Sequence, residues 1–418
     1  MLVGAPLKRS AAKHHVDEHL EELARLADTA GATVVGTLTQ QLDRPHPGTY
    51  LGSGKVEELR DRIAELGATL VLFDDELSPA QGKNIEQIVG TRVMDRAEII
   101  LDIFATRARS AEARMQVELA QLEYMLPRLT RMWTHLEKFR GGIGVRGPGE
   151  TQLETDRRLI HHRIKVLKER LVEVERSRTV QRQSRQSHFR AALVGYTNAG
   201  KSSVLRQAAG DGAVFVEDRL FATLDPLTRE VPLGDGQHVL LTDTVGFIRK
   251  LPHHLVASFR ATLEEVREAD VLLHVIDASH PGWEEHREVV DGVLEELGVL
   301  DRPTVHLFNK MDALPPEDRE GFAARAANLF PGSLCVSATT PDGLKPLIDH
   351  LRVLHEARRP LVEVRVPLDN GKLLAEVHRT GEVIEQAADD DSILVRARLD
   401  RAAMGRLVRA GAAVELVG

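Results

Sequence analysis

RAALVGYTNAGKSS, residues 190–203, is the most informative segment of this 418-residue chain. An apolar run leads directly into GYTNAGKS, which matches the phosphate-loop pattern G-x-x-x-x-G-K-[ST]. Such a loop joins a β-strand to a helix, and Gly195 and Gly200 let backbone N–H groups close around phosphate oxygens. Lys201 is expected to reach the β- and γ-phosphates, and the Ser202 hydroxyl to ligate Mg²⁺. The segment therefore predicts a parallel α/β domain that binds a nucleoside triphosphate.

Three further motifs follow in chain order: DTVG from residue 243, NKMD from residue 309 and VSA from residue 336. Each follows an apolar run, so their loops are expected at the carboxyl edge of one parallel sheet. Asp243 would hold the metal through a water, and the Gly246 N–H would meet the γ-phosphate. Asp312 would accept N1–H and N2–H₂ of guanine, donors that adenine lacks there. Each motif alone is weak, because strand ends are often polar, but the ordered set predicts a GTP-binding domain over residues 189–358.

The segment LFATLDPLTR, residues 220–229, is interpreted as switch I. Thr223 is its candidate metal ligand, the alternative being a threonine placed on a strand for its β-propensity. The candidate metal ligands are Ser202, Thr223 and Asp243 (through water), and the candidate catalytic residues are Lys201, Thr223 and Gly246. The predicted nucleotide contacts are Gly195, Tyr196, Thr197, Asn198, Ala199, Gly200, Lys201, Ser202, Ser203, Phe221, Ala222, Thr223, Asp243, Thr244, Val245, Gly246, Asn309, Lys310, Asp312, Ser337 and Ala338.

Phe247 follows DTVG, where many GTPases place a glutamine that orients the attacking water. Phenylalanine cannot do this, so intrinsic hydrolysis is predicted to be slow and to need an activator. The Asn198 carbonyl is a candidate ligand for a monovalent cation, K⁺, and the alternative is an Asx-type hydrogen bond that shapes the loop. Arg249 and Lys250 begin switch II and are interpreted as contacts to a partner phosphate or as solvated side chains.

Strand-like and helix-like patterns alternate along residues 1–108, which predicts an N-terminal parallel α/β domain. The predicted strands are ATVVGTL (32–38), ATLVLFDD (68–75) and TRVMD (91–95). GSGK at 52–55 lacks the phosphate-loop frame and is interpreted as a turn that opens a helix. Residues 360–418 have the order strand–helix–strand–strand–helix–strand, which predicts a small α+β domain.

Apolar residues recur at heptad spacing on both sides of the glycine-rich segment FRGGIGVRGPGETQLE, residues 139–154. They are Met115, Leu119, Leu122, Leu126, Leu129, Trp133 and Leu136 before it, and Leu153, Ile160, Ile164, Leu167, Leu171 and Val174 after it. This pattern predicts an arm of two antiparallel helices over residues 109–188, with its tip at 141–149. Pro127 is expected to kink the first helix, and Gly147-Pro148-Gly149 to form one sharp turn.

Charge and composition restrict the class of protein. The chain has 42% apolar and 28% charged residues, a single cysteine and no segment with the pattern of a signal peptide or membrane span, as expected for a soluble cytoplasmic protein. Its formal charge is −8, yet residues 131–190 hold 15 Lys/Arg against 7 Asp/Glu, a local +8, so the remainder carries −16. The basic segment is either a phosphate-facing surface or a solvated helical face.

These residues resemble the HflX family of ribosome-associated GTPases over about residues 30–345. The resemblance rests on FDDELSPAQGKNIEQIVGTRVMDRAEIILDIFATRA, GGIGVRGPGETQLETDRRLI, VGYTNAGKSS, LFATLD, DTVGFIRKLP and NKMD. It implies binding to the large ribosomal subunit, GTP hydrolysis stimulated by ribosomes, and a role in splitting, rescuing or silencing ribosomes under stress. It also implies that the arm approaches the peptidyl-transferase region.

Under this resemblance the glycine-rich tip would follow an RNA surface closely, with arginines on phosphates or bases. The candidate RNA contacts are Arg140, Gly141, Gly142, Arg146, Gly147 and Gly149. The expected partners are GTP or GDP and the large subunit with its RNA, the expected oligomeric state is a monomer, and no membrane span is expected. Two other functions stay open: a GTPase of ribosomal subunit assembly or RNA remodelling, and a GTP switch for a non-ribosomal protein client.

Overall fold

The computed structural model describes residues 1–9, 15–129, 148–183, 188–210, 220–234, 236–251, 260–299, 301–358, 360–389, 391–399 and 401–417. Three sheets of four, six and four strands organise these residues. Within them no helix is long and apolar enough to cross a membrane. The predicted fold class, a mostly parallel GTPase domain between a parallel α/β domain and a small α+β domain, is confirmed.

The N-terminal sheet is wholly parallel, with strand order β2-β1-β3-β4. Its elements are β1 Leu2–Gly4, α1 Val16–Thr29, β2 Thr37–Thr39, α2 Ser53–Leu66, β3 Leu70–Phe73, α3 Pro79–Val89, β4 Arg92–Asp95 and α4 Arg96–Arg107. The predicted turn at GSGK is confirmed, because Gly52 is the residue that caps α2.

Two local predictions for this domain were incomplete. The strand predicted over residues 32–38 is wrong for its first five residues, because β2 lies at the sheet edge and Val34 and Val35 stay exposed without a neighbouring strand. The helix α3 was not predicted. Its start is marked in the sequence: Ser78 accepts a hydrogen bond from the Gln81 N–H, the Gln81 side chain bonds back, and Pro79 takes the first helical position.

The arm begins with α5, Ala111–Met125, which passes into a 3₁₀ turn at Leu126–Arg128 that contains Pro127. Its second helix is α6, Pro148–Gln183. The predicted seam is confirmed where the structure describes it: Leu119, Ile164 and Leu167 form a buried cluster, and Met115, Leu122, Leu126, Ile160 and Leu171 pack against it. Trp133, Leu136 and the candidate RNA contacts Arg140, Gly141, Gly142, Arg146 and Gly147 lie outside the described residues. The predicted sharp turn is wrong for Pro148 and Gly149, because these residues begin α6. Proline is favoured at the first helical position, where a backbone N–H would have no partner within the helix.

The GTPase domain has the strand order β10-β9-β8-β5-β7-β6, and only β6 runs antiparallel to its neighbour. Its elements are β5 Phe189–Gly195, α7 Lys201–Ala209, β6 Leu227–Gly234, β7 Gln237–Asp243, α8 Arg260–Glu268, β8 Val271–Asp277, α9 Trp283–Glu296, β9 Thr304–Asn309, α10 Pro316–Leu329, β10 Leu334–Cys335 and α11 Lys345–Arg358. Fully buried aliphatic residues such as Leu193 and Leu273 fill the central strands, as expected for a parallel sheet covered on both faces.

The C-terminal sheet is antiparallel throughout, with strand order β12-β13-β11-β14. Its elements are β11 Leu361–Pro367, α12 Gly371–Thr380, β12 Glu382–Asp389, β13 Ser392–Arg398, α13 Arg401–Arg409 and β14 Ala413–Leu416, in the predicted order. The N-terminal and GTPase domains share one hydrophobic core. In this core the rings of Phe104 and Phe221 meet edge to face, with their centroids 4.7 Å apart. Switch I is therefore packed against the N-terminal domain.

Candidate nucleotide site

The phosphate loop connects the end of β5 to the start of α7, as the motif predicts. Gly200 adopts a left-handed φ of 95°, and a Cβ there would lie 2.3 Å from Asn309 Nδ2, so only glycine fits. The buried Lys201 ammonium donates to the carbonyls of Gly195 (3.1 Å) and Tyr196 (2.9 Å). Burial lowers the Lys201 pKa to about 8, with the nearby Asp243 carboxylate opposing that shift. A phosphate placed in the loop would give this cation an anionic hydrogen-bond partner.

The three candidate metal ligands converge at one point. The hydroxyls of Ser202 and Thr223 donate to Asp243 Oδ2 over 2.6 and 2.8 Å, and the two hydroxyl oxygens lie 2.9 Å apart. Asp243 is fully buried, and its Oδ1 has no hydrogen-bond partner among the described residues. Burial raises the Asp243 pKa, although Lys201 opposes the shift. A buried carboxylate beside two hydroxyls is an oxygen donor set suited to Mg²⁺.

The segment after DTVG lies directly on the phosphate loop. The Phe247 N–H donates to the Gly195 carbonyl (3.1 Å), and the Thr197 N–H donates to the Phe247 carbonyl (2.7 Å). A Cβ at Gly246 would lie 2.7 Å from Thr197 Cα and 3.1 Å from Lys201 Nζ, so glycine is required for this approach. The Phe247 side chain is buried in the core shared with the N-terminal domain. It therefore offers no polar group to a water molecule.

The guanine-specific loops are joined by Asn309. Its Nδ2 donates to the Ala199 carbonyl (3.0 Å), and its Oδ1 accepts the Ala338 N–H (3.1 Å), so it ties the phosphate loop to the VSA loop. Asp312 is oriented by Thr339 Oγ1, which donates to its Oδ2 over 2.9 Å, while the Asp312 N–H donates to Ser337 Oγ over 3.1 Å. Partial burial alone would raise the pKa of Asp312. These hydrogen bonds outweigh that effect and hold the Asp312 pKa below its ordinary value. The carboxylate is thus kept ionised, as the predicted acceptor for guanine requires.

Two residues of this region were not among the sequence candidates. Thr339 orients Asp312, and Asp277 Oδ2 pairs with Lys310 Nζ at 2.7 Å. Lys310 has a left-handed φ of 63°, so the pair also stabilises an unfavourable backbone conformation. Asp277 ends the apolar run VLLHVID, residues 271–277, and Thr339 follows VSA directly, so these two positions were the available signals.

Several predicted contacts use their side chains for other purposes. Thr197 Oγ1 accepts the Phe221 N–H (3.1 Å), which ties switch I to the phosphate loop, and Thr244 Oγ1 donates to the Leu193 carbonyl (2.6 Å). Asn198 has a left-handed φ of 60°. Ser203 lies on α7, Ala222 lies between Phe221 and Thr223, and Val245 is buried beside Gly246. The hydroxyls of Thr197 and Thr244 are therefore bonded within the protein.

Tyr196 turns away from the phosphates and towards the N-terminal domain. Its hydroxyl donates to a carboxylate oxygen of Glu22 and accepts the Arg249 N–H at 2.9 Å. The Tyr196 ring stacks on His286, with ring centroids 3.8 Å apart. The phosphate loop is therefore bonded through one side chain to both α1 and switch II.

Arg249 and Lys250 are bound by acidic residues of the N-terminal domain and α9. Lys250 Nζ lies 2.5 Å from Asp74 Oδ2 and 2.7 Å from Asp75 Oδ1, and Arg249 pairs with Glu285 at 3.1 Å. Of the two interpretations, the one in which these side chains are merely solvated does not hold in this structure, because both cations pair with carboxylates and Arg249 is buried. Contact with a partner phosphate stays a prediction. No motif marks the partners, because they come from distant segments of the chain.

Arg96 completes this interface from the start of α4. Its guanidinium pairs with Glu22, donates to Asp74 Oδ1 over 2.8 Å and donates to the Arg249 carbonyl over 3.1 Å. We call Glu22, Asp74, Arg96, Tyr196 and Lys250, with Arg249, the switch II interface. It connects Arg249 and Lys250, which follow the DTVG motif, to the N-terminal domain.

Comparison with protein families divides most of the chain into three matched regions. Residues 17–105 match the model described as GTP-binding GTPase N-terminal, and residues 107–185 match the GTP-binding GTPase middle region. Residues 190–310 match the model described as 50S ribosome-binding GTPase.

Three curated relatives are similar over most of their length. The GTPase HflX of Magnetococcus marinus is 48% identical over 93% of this chain and 89% of that protein. The GTPase HflX of Lacrimispora saccharolytica is 46% identical over 90% and 88%, and that of Escherichia coli is 43% identical over 91% and 90%. With a phosphate loop, the candidate metal ligands and the NKMD and VSA loops assembled at one sheet edge, the chain belongs to the HflX family of GTPases and is a GTP hydrolase.

Proposed function

We propose that this GTPase binds the large ribosomal subunit and uses GTP binding and hydrolysis to control ribosome splitting, rescue or silencing under stress. The observation that carries the proposal is the position of residues 247–250. They bond to the phosphate loop on one side and to the N-terminal domain on the other. A change at the γ-phosphate is thereby transmitted to the part of the molecule that bears the arm.

In this proposal the nucleotide is held by the residues predicted from the motifs. Lys201 and the loop N–H groups bind the phosphates, and Asp312 selects guanine. Ser202, Thr223 and Asp243 hold Mg²⁺, which when bound neutralises charge on the phosphate oxygens. Asn198 is the candidate ligand for K⁺. Because Phe247 positions no water, hydrolysis is slow in the free protein and is stimulated by the ribosome.

The arm is the proposed ribosomal RNA contact. Its described stem is packed along a heptad seam and braced by ion pairs between the helices, Arg163 with Glu118 at 2.6 Å and Lys168 with Glu123 at 2.8 Å. A stiff stem would hold the basic, glycine-rich tip in a defined position. The proposed contacts are Arg140, Gly141, Gly142, Arg146, Gly147 and Gly149. The protein is proposed to act in the cytoplasm as a monomer.

The domain boundaries belong to the same proposal. Residues 1–108 form the N-terminal domain, 109–188 the arm, 189–358 the GTPase domain and 360–418 the C-terminal domain. The core shared by the first and third units implies that they move together in the state described here.

The test is GTP turnover of the free protein and of mixtures with purified large subunits, for the intact chain and for a chain lacking residues 141–149. Strong stimulation that weakens without the tip supports the proposal. A preference for immature particles would favour subunit assembly. Turnover that is unchanged in every mixture would contradict ribosome binding and favour a protein client.

A further inference from the structure

A cluster of possible metal ligands lies under α9. His274 in β8 and His306 in β9 are paired directly across the two strands, so their side chains share one face of the sheet. Asp291 reaches the same point from α9. One donor atom from each of the three side chains lies within 4.8 Å of the other two.

His274 has no adequate protein partner. Its side chain is fully buried, and neither ring nitrogen has a hydrogen-bond partner among the described residues. Asp291 Oδ1 lies 3.5 Å from Nδ1, which is longer than a normal hydrogen bond. Burying an imidazole without partners is unfavourable, and such groups in native structures call for an explanation.

The charge state of the cluster suits a cation. Burial lowers the pKa of His274, and burial together with the neighbouring His274 lowers the pKa of His306 to about 4. Both imidazoles are therefore neutral at physiological pH, which is the form that ligates metals. Burial alone would raise the pKa of Asp291, but the Arg287 guanidinium opposes this and the pKa stays below its ordinary value, so this side chain is ionised.

Arg287 leaves one oxygen of Asp291 available. Its guanidinium pairs with Oδ2, whereas Oδ1 faces His274. The same guanidinium lies 5.2 Å from the ring centroid of Phe330, so it is held to one side of the cluster. Asp291 also remains about one-third exposed, which gives an ion a path from solvent.

We propose that His274, Asp291 and His306 form a binding site for a divalent transition metal of the Zn²⁺ type, with solvent as the fourth ligand. Two imidazoles and a carboxylate are typical ligands of Zn²⁺, whereas Mg²⁺ prefers oxygen ligands throughout. With metal–ligand bonds of about 2.0–2.1 Å, tetrahedral donors lie about 3.3 Å apart. Closing the cluster from its present spacing needs side-chain movements of only about 1 Å.

An ion at this site would join α9 to β8 and β9. The residue after His274 is Val275, whose carbonyl packs closely under Gly195. A Cβ added at Gly195 would lie only 2.3 Å from the Val275 carbonyl oxygen. The metal would therefore stabilise the strand on which the phosphate loop rests. This proposal does not depend on ribosome binding.

The experiment is Zn²⁺ titration of the full-length, metal-free protein by calorimetry, with Mg²⁺ and GDP in excess to fill the nucleotide site. We expect one equivalent of Zn²⁺ to bind and the thermal unfolding temperature to rise, because the ion binds only the folded state. Asp291→Asn and His306→Gln should each weaken binding by at least about 10–100-fold. Neither variant should show the Zn²⁺-dependent rise.

Two control variants make the result specific. His15→Ala removes a ligand from the exposed group His15, Glu18 and Glu285, and Cys335→Ser removes the single thiol. Both should bind Zn²⁺ like the unaltered protein. The proposal is overturned if the unaltered protein binds no Zn²⁺, if Asp291→Asn and His306→Gln bind it equally well, or if either control abolishes binding.

Discussion

The guanine loops and the switch II interface lie at the same sheet edge but are built differently. Asn309, Asp312, Ser337 and Ala338 come from two short motifs and bond mainly to each other and to the phosphate loop. The switch II interface takes Glu22, Asp74 and Arg96 from the N-terminal domain and binds them to the GTPase domain. The predicted nucleotide contacts are thus local in sequence, whereas the contacts of switch II come from distant segments.

The variant with the largest expected effect tests guanine recognition by the NKMD loop. Asp312→Asn replaces two acceptor oxygens with one acceptor and one donor, which mismatches guanine N2–H₂ and matches the carbonyl at that position in xanthine. We expect GTP affinity to fall by about 10⁴-fold and xanthosine triphosphate to become the better ligand, measured by nucleotide competition. Loss of both nucleotides would instead indicate a misfolded loop.

The interface half is tested with Asp74→Asn. Asp74 is buried and pairs with Arg96 and Lys250, so its neutralisation leaves buried cations without a counter-charge. The free energy of unfolding is expected to fall by about 3–5 kcal/mol, measured by urea denaturation. Asp75→Asn is the matched control, because Asp75 also binds Lys250 but is more exposed, and it should cost less than about 1 kcal/mol. Equal losses would contradict the assigned role of Asp74.

Lys201→Ala tests the phosphate loop itself. It removes the ammonium that contacts the Gly195 and Tyr196 carbonyls and is positioned for phosphate. The rate of GTP hydrolysis at saturating GTP should fall by about 10²–10³-fold. Arg206→Ala, an exposed cation on the same helix, should leave this rate unchanged. A comparable fall in both variants would point to disruption of α7 rather than to lost phosphate contacts.

Acid should weaken the switch II interface. Burial alone would raise the pKa of Asp74. The charges of Arg96 and Lys250 outweigh that effect and hold this pKa below its ordinary value of 3.8. Its contribution to stability is therefore fully present above about pH 4 and is lost as the pH falls through the folded-state pKa. The difference in unfolding free energy between the unaltered protein and Asp74→Asn should shrink below about pH 4. A difference that is constant with pH would rule out this carboxylate as the source.

The smallest expected effect comes from Tyr196, a residue that belongs to both the phosphate loop and the switch II interface. Tyr196→Phe keeps the phosphate-loop backbone but removes the hydroxyl that joins Glu22 to the Arg249 N–H. Unfolding free energy should fall by about 1–3 kcal/mol, because two buried groups lose a partner. GTP affinity, measured by fluorescence titration, should stay the same. A large loss of affinity with unchanged stability would place the Tyr196 side chain in the nucleotide site instead.

Prediction from the sequence was most accurate for features that depend on interactions within one segment of the chain. The C-terminal element order, the heptad seam and the mostly parallel GTPase sheet were predicted because each depends on periodicity within one segment. The strand at 32–38 was overestimated because Val34 and Val35 have strand propensity but no neighbouring strand to pair with. The start of α3 was missed although Ser78 and Gln81 carry a capping-box signal.

The amino-acid sequence by itself determined the nucleotide chemistry, since the phosphate loop, Asp243 and the NKMD loop each place their groups through local backbone geometry at the end of a strand. Only the tertiary structure decided that Tyr196 faces Glu22, that Lys250 binds Asp74, and that His274 meets Asp291 and His306. These pairs are separated by 174, 176 and up to 32 residues, so no local pattern encodes them. They form because packing two domains and three neighbouring elements together removes charges and imidazoles from water, where each then needs a partner.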